Sequence, residues 1–92
     1  MTLPAEVDLV IVGCGPVGAL MGNLLGARGL RVAIVEREDT PHGTPRAFSC
    51  DDEALRVYQQ AGLADRLLAD MIECPEAEFV GGDGRPFAVI RF

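Results

Sequence analysis

Apolar residues along this chain fall into two kinds of pattern. Leu9-Val10-Ile11-Val12 is a short continuous run, largely β-branched and closed by Gly13, which predicts a strand buried on both faces as in a parallel sheet. After Pro16 the period changes. Val17, Leu20, Met21, Leu24 and Leu25 recur at helical spacing, and Gly29 supplies a C-terminal stop. Val32-Ala33-Ile34-Val35 is a second apolar run, closed by Glu36-Arg37-Glu38-Asp39. Strand, glycine turn, helix and strand within roughly 30 residues predict one βαβ unit over about 7–38, with a right-handed crossover.

The pattern then loosens. Residues 39–48 read as a loop, because "TPHGTPRAF" places two prolines and a glycine in nine positions. Ser49 precedes Asp52 at capping-box spacing, which predicts a helix capped by Ser49 and running through "DDEALRVYQQ" to Gly62. "LADRLLADM" adds a helical turn or two, so residues 49–72 form a helical segment. Beyond Pro75, "AEFV" and "PFAVIRF" flank "GGDG", a hairpin signal over 77–92. There is no internal repeat.

From Leu9 to Ala27 no side chain is charged, close to the about 20 apolar residues that a membrane span needs. Gly18, Gly22 and Gly26 even form the small-residue ladder of membrane helix pairs. Pro16 and the pair Gly13 and Gly15 break such a helix in its first half. The flanks are Glu6 and Asp8 on one side and Arg28 and Arg31 on the other, unlike a signal peptide, and the run divides into two periodicities. The expectation is no membrane partner.

Composition agrees with a globular protein, at 49% hydrophobic and 24% charged. The net charge of −6 argues against nucleic acid or an anionic membrane as partner. Cys14, Cys50 and Cys74 are odd in number and form no CxxC pair, so the expectation is reduced thiols, a cytoplasmic location and no metal. His42, the only histidine, sits in the Pro/Gly loop and reads as solvent-facing. Asp51, Asp52 and Glu53 are consecutive and do not share a helix face, so they read as N-terminal charge rather than paired catalytic acids.

Gly13-Cys14-Gly15-Pro16-Val17-Gly18 matches GxGxxG, between a predicted strand and a predicted helix. Gly13 permits the tight turn, Gly15 lets backbone approach a pyrophosphate, and Gly18 lets the helix lie close on the sheet. The unpaired N–H groups and dipole of the helix then favour a phosphate at its N-terminus. Glu36, at the end of the second strand, is placed to accept ribose hydroxyls. Its charge disfavours a 2′-phosphate, so the expected nucleotide is FAD or NAD rather than NADP.

"DLVIVGCGPVGALMGNLLGARGLRVAIVERE", followed by "PRAFSCDDEALRVYQQAGL", resembles the N-terminus of FAD-dependent aromatic-ring monooxygenases, most nearly their 3-(3-hydroxyphenyl)propionate hydroxylase branch. The resemblance runs from Asp8 to the end of the chain, and the stretch from Pro45 to Leu63 is what points to that branch. Two details depart from it: Ser49-Cys50 before the acid pair, and Cys14 where alanine is usual. The resemblance implies an α/β fold, a partial Rossmann-like FAD-binding unit followed by helix and hairpin and incomplete as a domain.

The resemblance also implies FAD as cofactor, held through Gly13, Gly15, Pro16, Val17, Gly18 and Glu36. Arg46, held by Pro45 on the loop, would offer a planar fork to the pyrophosphate or stand as an ordinary surface charge, and Arg37 would either pack over the adenine or stay solvated. In the full-length enzyme, NAD(P)H would reduce the flavin and a small phenolic substrate would receive oxygen from O2. Catalytic residues are not identifiable. No third strand of a βαβαβ half is visible, and the first strand lacks a neighbour. The expectation is therefore an N-terminal fragment or truncated product, inactive as a hydroxylase alone, whose partner would be the missing remainder of the enzyme. Two other readings use the same residues: an NAD- or FAD-binding module without hydroxylase activity, and a non-catalytic truncated chain.

Overall fold

A computed structural model describes residues 2, 4–44 and 46–92. In chain order the elements are β1 (Leu9–Val12), α1 (Pro16–Ala27), β2 (Val32–Val35), α2 (Asp52–Gln60), α3 (Ala64–Leu68), β3 (Glu76–Val80) and β4 (Pro86–Arg91). β1 and β2 pair in parallel, with Leu9 opposite Val32 and Val12 opposite Val35. The charges flanking the apolar run fasten the open end of this pair. The Asp8 carboxylate accepts the Arg31 backbone N–H at 2.8 Å and its guanidinium at 2.9 Å. These bonds from Arg31 hold the Asp8 carboxyl below its ordinary range.

Strand alternation sends Ile11 and Ile34 toward α1, where a Cβ at Gly22 would lie 2.7 Å from Ile34 Cδ1. The helix meets the sheet through its glycines, while Val17 and Met21 remain exposed. Close approach, not side-chain bulk, therefore selects the sheet-facing stripe. The opposite sheet face is uncovered, which corrects the expectation of a strand buried on both sides. Ile11 is 8% exposed, whereas Val10 is 54% and Val12 85% exposed. α1 shields one face, and among the described elements nothing packs substantially on the other.

α1 stops at Gly29, whose φ of +86° suits glycine. There the Gly29 N–H reaches the Gly26 carbonyl at 3.0 Å and the Leu30 N–H reaches the Leu25 carbonyl at 3.2 Å. The start of α2 differs from expectation. Asp51, not Ser49, is the cap, and its Oδ1 accepts the Ala54 N–H at 2.8 Å. Aspartate caps as well as serine and adds charge at the positive helix end, so the residue adjacent to the helix takes the role. α2 packs on the short α3. β3 and β4 form an antiparallel hairpin with Glu76 opposite Arg91, one residue earlier than the apolar pattern marked, and with an irregularity at Phe79/Val80. Among the described residues no helix is long and apolar enough to cross a membrane.

Candidate nucleotide-binding site

The chain leaves β1 at Gly13, where φ is +101°. An L side chain resists that conformation. The turn stays tied to the sheet because the Gly13 N–H donates to the Val35 carbonyl at 2.7 Å. Gly15 is the N-cap of α1 and Pro16 its first residue, where a fixed φ and a missing N–H cost nothing. The first bond of the helix runs from the Ala19 N–H to the Gly15 carbonyl at 2.9 Å. The N–H groups of Val17 and Gly18 precede it and have no acceptor within the helix. The first turn carries no acidic side chain, so its positive end is not neutralised by the helix itself.

The motif glycines divide by function. A Cβ on Gly18 would collide with the Gly13 carbonyl oxygen and lie 3.4 Å from Ile11 Cγ2. Helix, turn and strand therefore converge there. At Gly15 no described atom beyond the adjoining residues lies within 4 Å of the Cβ position. Packing within the chain does not require glycine at Gly15; an approaching phosphate would. Packing does not require glycine at Gly26 either, whose Cβ position meets nothing within 4 Å, so the glycine ladder is a close-packing stripe only as far as Gly22.

Glu36 follows β2 and turns back onto the loop. Its Oε2 accepts the Cys14 N–H at 2.7 Å and its Oε1 accepts the Glu38 N–H at 3.1 Å. The Cys14 bond, with the Glu38 bond behind it, holds the carboxyl below the usual carboxylate range, so it is ionised at neutral pH. An ionised carboxylate with exposed lone pairs beside a glycine turn is an acceptor for paired ribose hydroxyls. Reading side chains alone missed the Cys14 N–H. A backbone donor leaves no mark in the sequence beyond its place between Gly13 and Gly15.

Neither arginine side chain hydrogen-bonds to this cluster, although the Arg37 backbone and charge add to the lowering at Glu36. Arg37 Nε pairs with Glu38 Oε1 at 3.1 Å in solvent. Arg46 is exposed and makes no hydrogen bond or ion pair with the described residues, and Pro45, expected to hold it, lies outside them. The Cys14 thiol is exposed. Among the described residues no group of three His, Cys, Asp or Glu side chains could hold a metal ion.

A parallel βαβ unit whose glycine turn opens a helix, with a carboxylate from the second strand closing on that turn, defines a dinucleotide-binding protein. The FAD binding domain family matches residues 6–88, and the chain belongs to it. The chain is 47% identical over 84 residues to a 3-(3-hydroxy-phenyl)propionate/3-hydroxycinnamic acid hydroxylase from Burkholderia cenocepacia, a match covering 91% of this chain and 16% of that protein. It is 47% identical over 68 residues to the protein of the same name from Mycolicibacterium smegmatis, covering 74% of this chain and 12% of that one. The p-nitrophenol 4-monooxygenase from Pseudomonas putida DLL-E4 superposes with a TM-score of 0.80 at 31% identity, over 90% of this chain and 21% of its own. The chain thus spans a small part of the length of the relatives it matches.

Proposed function

We propose that this chain supplies the adenosine-diphosphate end of the FAD site in a flavoprotein monooxygenase that hydroxylates a phenolic ring with NAD(P)H and O2. The observation that carries the reading is the contact between the Glu36 carboxylate and the Cys14 N–H. It places a charged acceptor beside the turn that opens α1. In this assignment Gly13 makes the turn, and Gly15 admits the pyrophosphate. Pro16, Val17 and Gly18 form the helix start that faces it, and Glu36 accepts the ribose hydroxyls. Arg37 and Arg46 lie within reach in sequence, Arg46 to meet phosphate and Arg37 to lie over the adenine.

Bound flavin supplies the redox and oxygen chemistry; the residues of this chain bind and orient its nucleotide end. Groups at the reacting end come from the part of the relatives outside the matched stretch. The remaining elements of the proposal are a small aromatic substrate, that remainder as partner, no nucleic-acid or membrane partner, and a cytoplasmic location. The test is reconstitution of the chain with FAD, read by visible absorption and flavin fluorescence. Co-elution of blue-absorbing flavin with the chain supports the reading. Flavin that stays free while NAD binds would assign the site to a nicotinamide module instead.

A further inference from the structure

Backbone N–H groups that succeed one another in a turn form a concavity that attracts anions. In the glycine turn of this chain those donors are already divided. The Gly13 N–H donates to the Val35 carbonyl at 2.7 Å, Pro16 has no N–H, and those of Val17 and Gly18 stay open. The Cys14 N–H is held by Glu36 Oε2 at 2.7 Å, a length at the short end for a charge-assisted N–H···O bond. The chain thus sets an anion of its own on the turn, at a donor that a free phosphate would otherwise use.

The anchoring of Glu36 makes this occupancy selective. Its other oxygen, Oε1, accepts the Glu38 N–H at 3.1 Å. Each carboxylate oxygen has two lone pairs, so one on each remains for a hydroxyl donor. A ribose diol can therefore add to the carboxylate without displacing it, while the diphosphate of the same ligand meets Val17 and Gly18. A free anion competes differently. To gain the Cys14 N–H it must take it from a group ionised at neutral pH, then lie beside that like charge. The first turn of α1 carries no acidic side chain, so the discrimination falls to Glu36.

Resting on the nucleotide-binding reading above, we propose that Glu36 withholds the Cys14 N–H from free phosphate and pyrophosphate, so that the turn favours a diphosphate joined to a ribose over the bare anion. Exclusion of a 2′-phosphate needs only the charge of Glu36. Withholding the donor needs the hydrogen bond as well, and substitution separates the two. Glutamine removes the charge and keeps a carbonyl oxygen for the Cys14 N–H; alanine removes both.

Calorimetric titration with sodium pyrophosphate of the 92-residue chain, Glu36→Gln and Glu36→Ala is the test. Both variants lose the same charge, so the difference between them reads the Cys14 donor alone. Glu36→Ala should bind pyrophosphate at least about fivefold more tightly than Glu36→Gln, the scale of one solvated hydrogen bond to a charged group. In amide NMR spectra the Cys14 resonance should move on addition of pyrophosphate in Glu36→Ala and hold still in the unsubstituted chain. Equal pyrophosphate affinity in the two variants, or a Cys14 amide that moves as far in the unsubstituted chain, would overturn the proposal. Should Glu36→Ala fail to fold by circular dichroism, the unsubstituted chain decides alone, by whether its Cys14 amide moves or holds still. ADP titration reads the nucleotide site separately. The predicted pyrophosphate ranking without ADP binding would sink only the nucleotide reading, and ADP binding with equal pyrophosphate affinities only the withholding role.

Discussion

Replacing Gly18 by alanine puts one methyl group where helix, turn and strand converge. The added Cβ overlaps the Gly13 carbonyl oxygen, lies 3.1 Å from its carbon and reaches Ile11 Cγ2 at 3.4 Å. The obstruction is backbone, which cannot rotate aside as a side-chain tip can. Either α1 lifts from β1 or the glycine turn reorients. Overpacking of this kind costs about 1–3 kcal/mol, and a backbone clash belongs at the upper end. Alanine returns about 1 kcal/mol of helix propensity, leaving a net loss of about 2 kcal/mol.

Gly26 in the same helix is the internal control. Its Cβ would meet nothing within 4 Å, so Gly26→Ala should keep the propensity gain, up to about 1 kcal/mol. With 4–8 °C per kcal/mol for a domain of this size, Gly18→Ala should lower Tm by roughly 10 °C and Gly26→Ala raise it by a few degrees. Thermal unfolding followed by far-UV circular dichroism measures both. Equal stability of the two variants would refute the close approach at Gly18 and, with it, the geometry of the turn.

Three further outcomes follow from named contacts. Asp51→Ala should destabilise α2 by about 1 kcal/mol while Ser49→Ala leaves it unchanged, because only Asp51 caps the helix; urea unfolding of the two variants checks it. The Asp8 and Glu36 carboxyls titrate lower folded than unfolded, so their contribution is present above the ordinary carboxylate range and lost as pH falls through the lowered folded values. Tm should therefore be flat from about pH 6 to 8 and fall below about pH 4, and Asp8→Asn should lessen that fall; a Tm that rises on acidification would contradict the assignment. Arg37→Gln should leave Tm unchanged within error, since its ion pair with Glu38 is solvated; a clear drop in a melting scan would show that Arg37 carries more than that pair.

The βαβ unit was legible because its signals are local. Glycine at 13 and 29, proline at 16 and the change from a continuous apolar run to helical spacing each have one cheap structural solution. Gly29 ends α1 where the pattern placed the stop. What was not legible depended on neighbours. The spacing of Ser49 and Asp52 satisfied the capping box, yet Asp51 stands directly before the helix and holds the cap. The apolar residues of β1 forecast burial on both faces. Burial needs a covering layer, and the described residues provide one only over Ile11. The close approach of α1 at Gly18 was legible from the glycine motif, whereas the exposure of the large apolar residues at 17 and 21 was not. The place of Glu36 directly after the second strand was legible. Its bond to the Cys14 N–H was not, because any residue supplies that donor.

In the proposed site the glycine turn and Glu36 together recognise an unphosphorylated ribose and its diphosphate. Calorimetric titration of the chain with ADP, set against ADP bearing a 2′-phosphate, tests it most directly. ADP should bind, the 2′-phosphorylated form should bind at least tenfold more weakly, and Glu36→Gln should weaken ADP while narrowing that ratio, because the charge that accepts the hydroxyls and repels the phosphate is gone. Equal affinity for the two nucleotides, or unchanged ADP binding in Glu36→Gln, would contradict it.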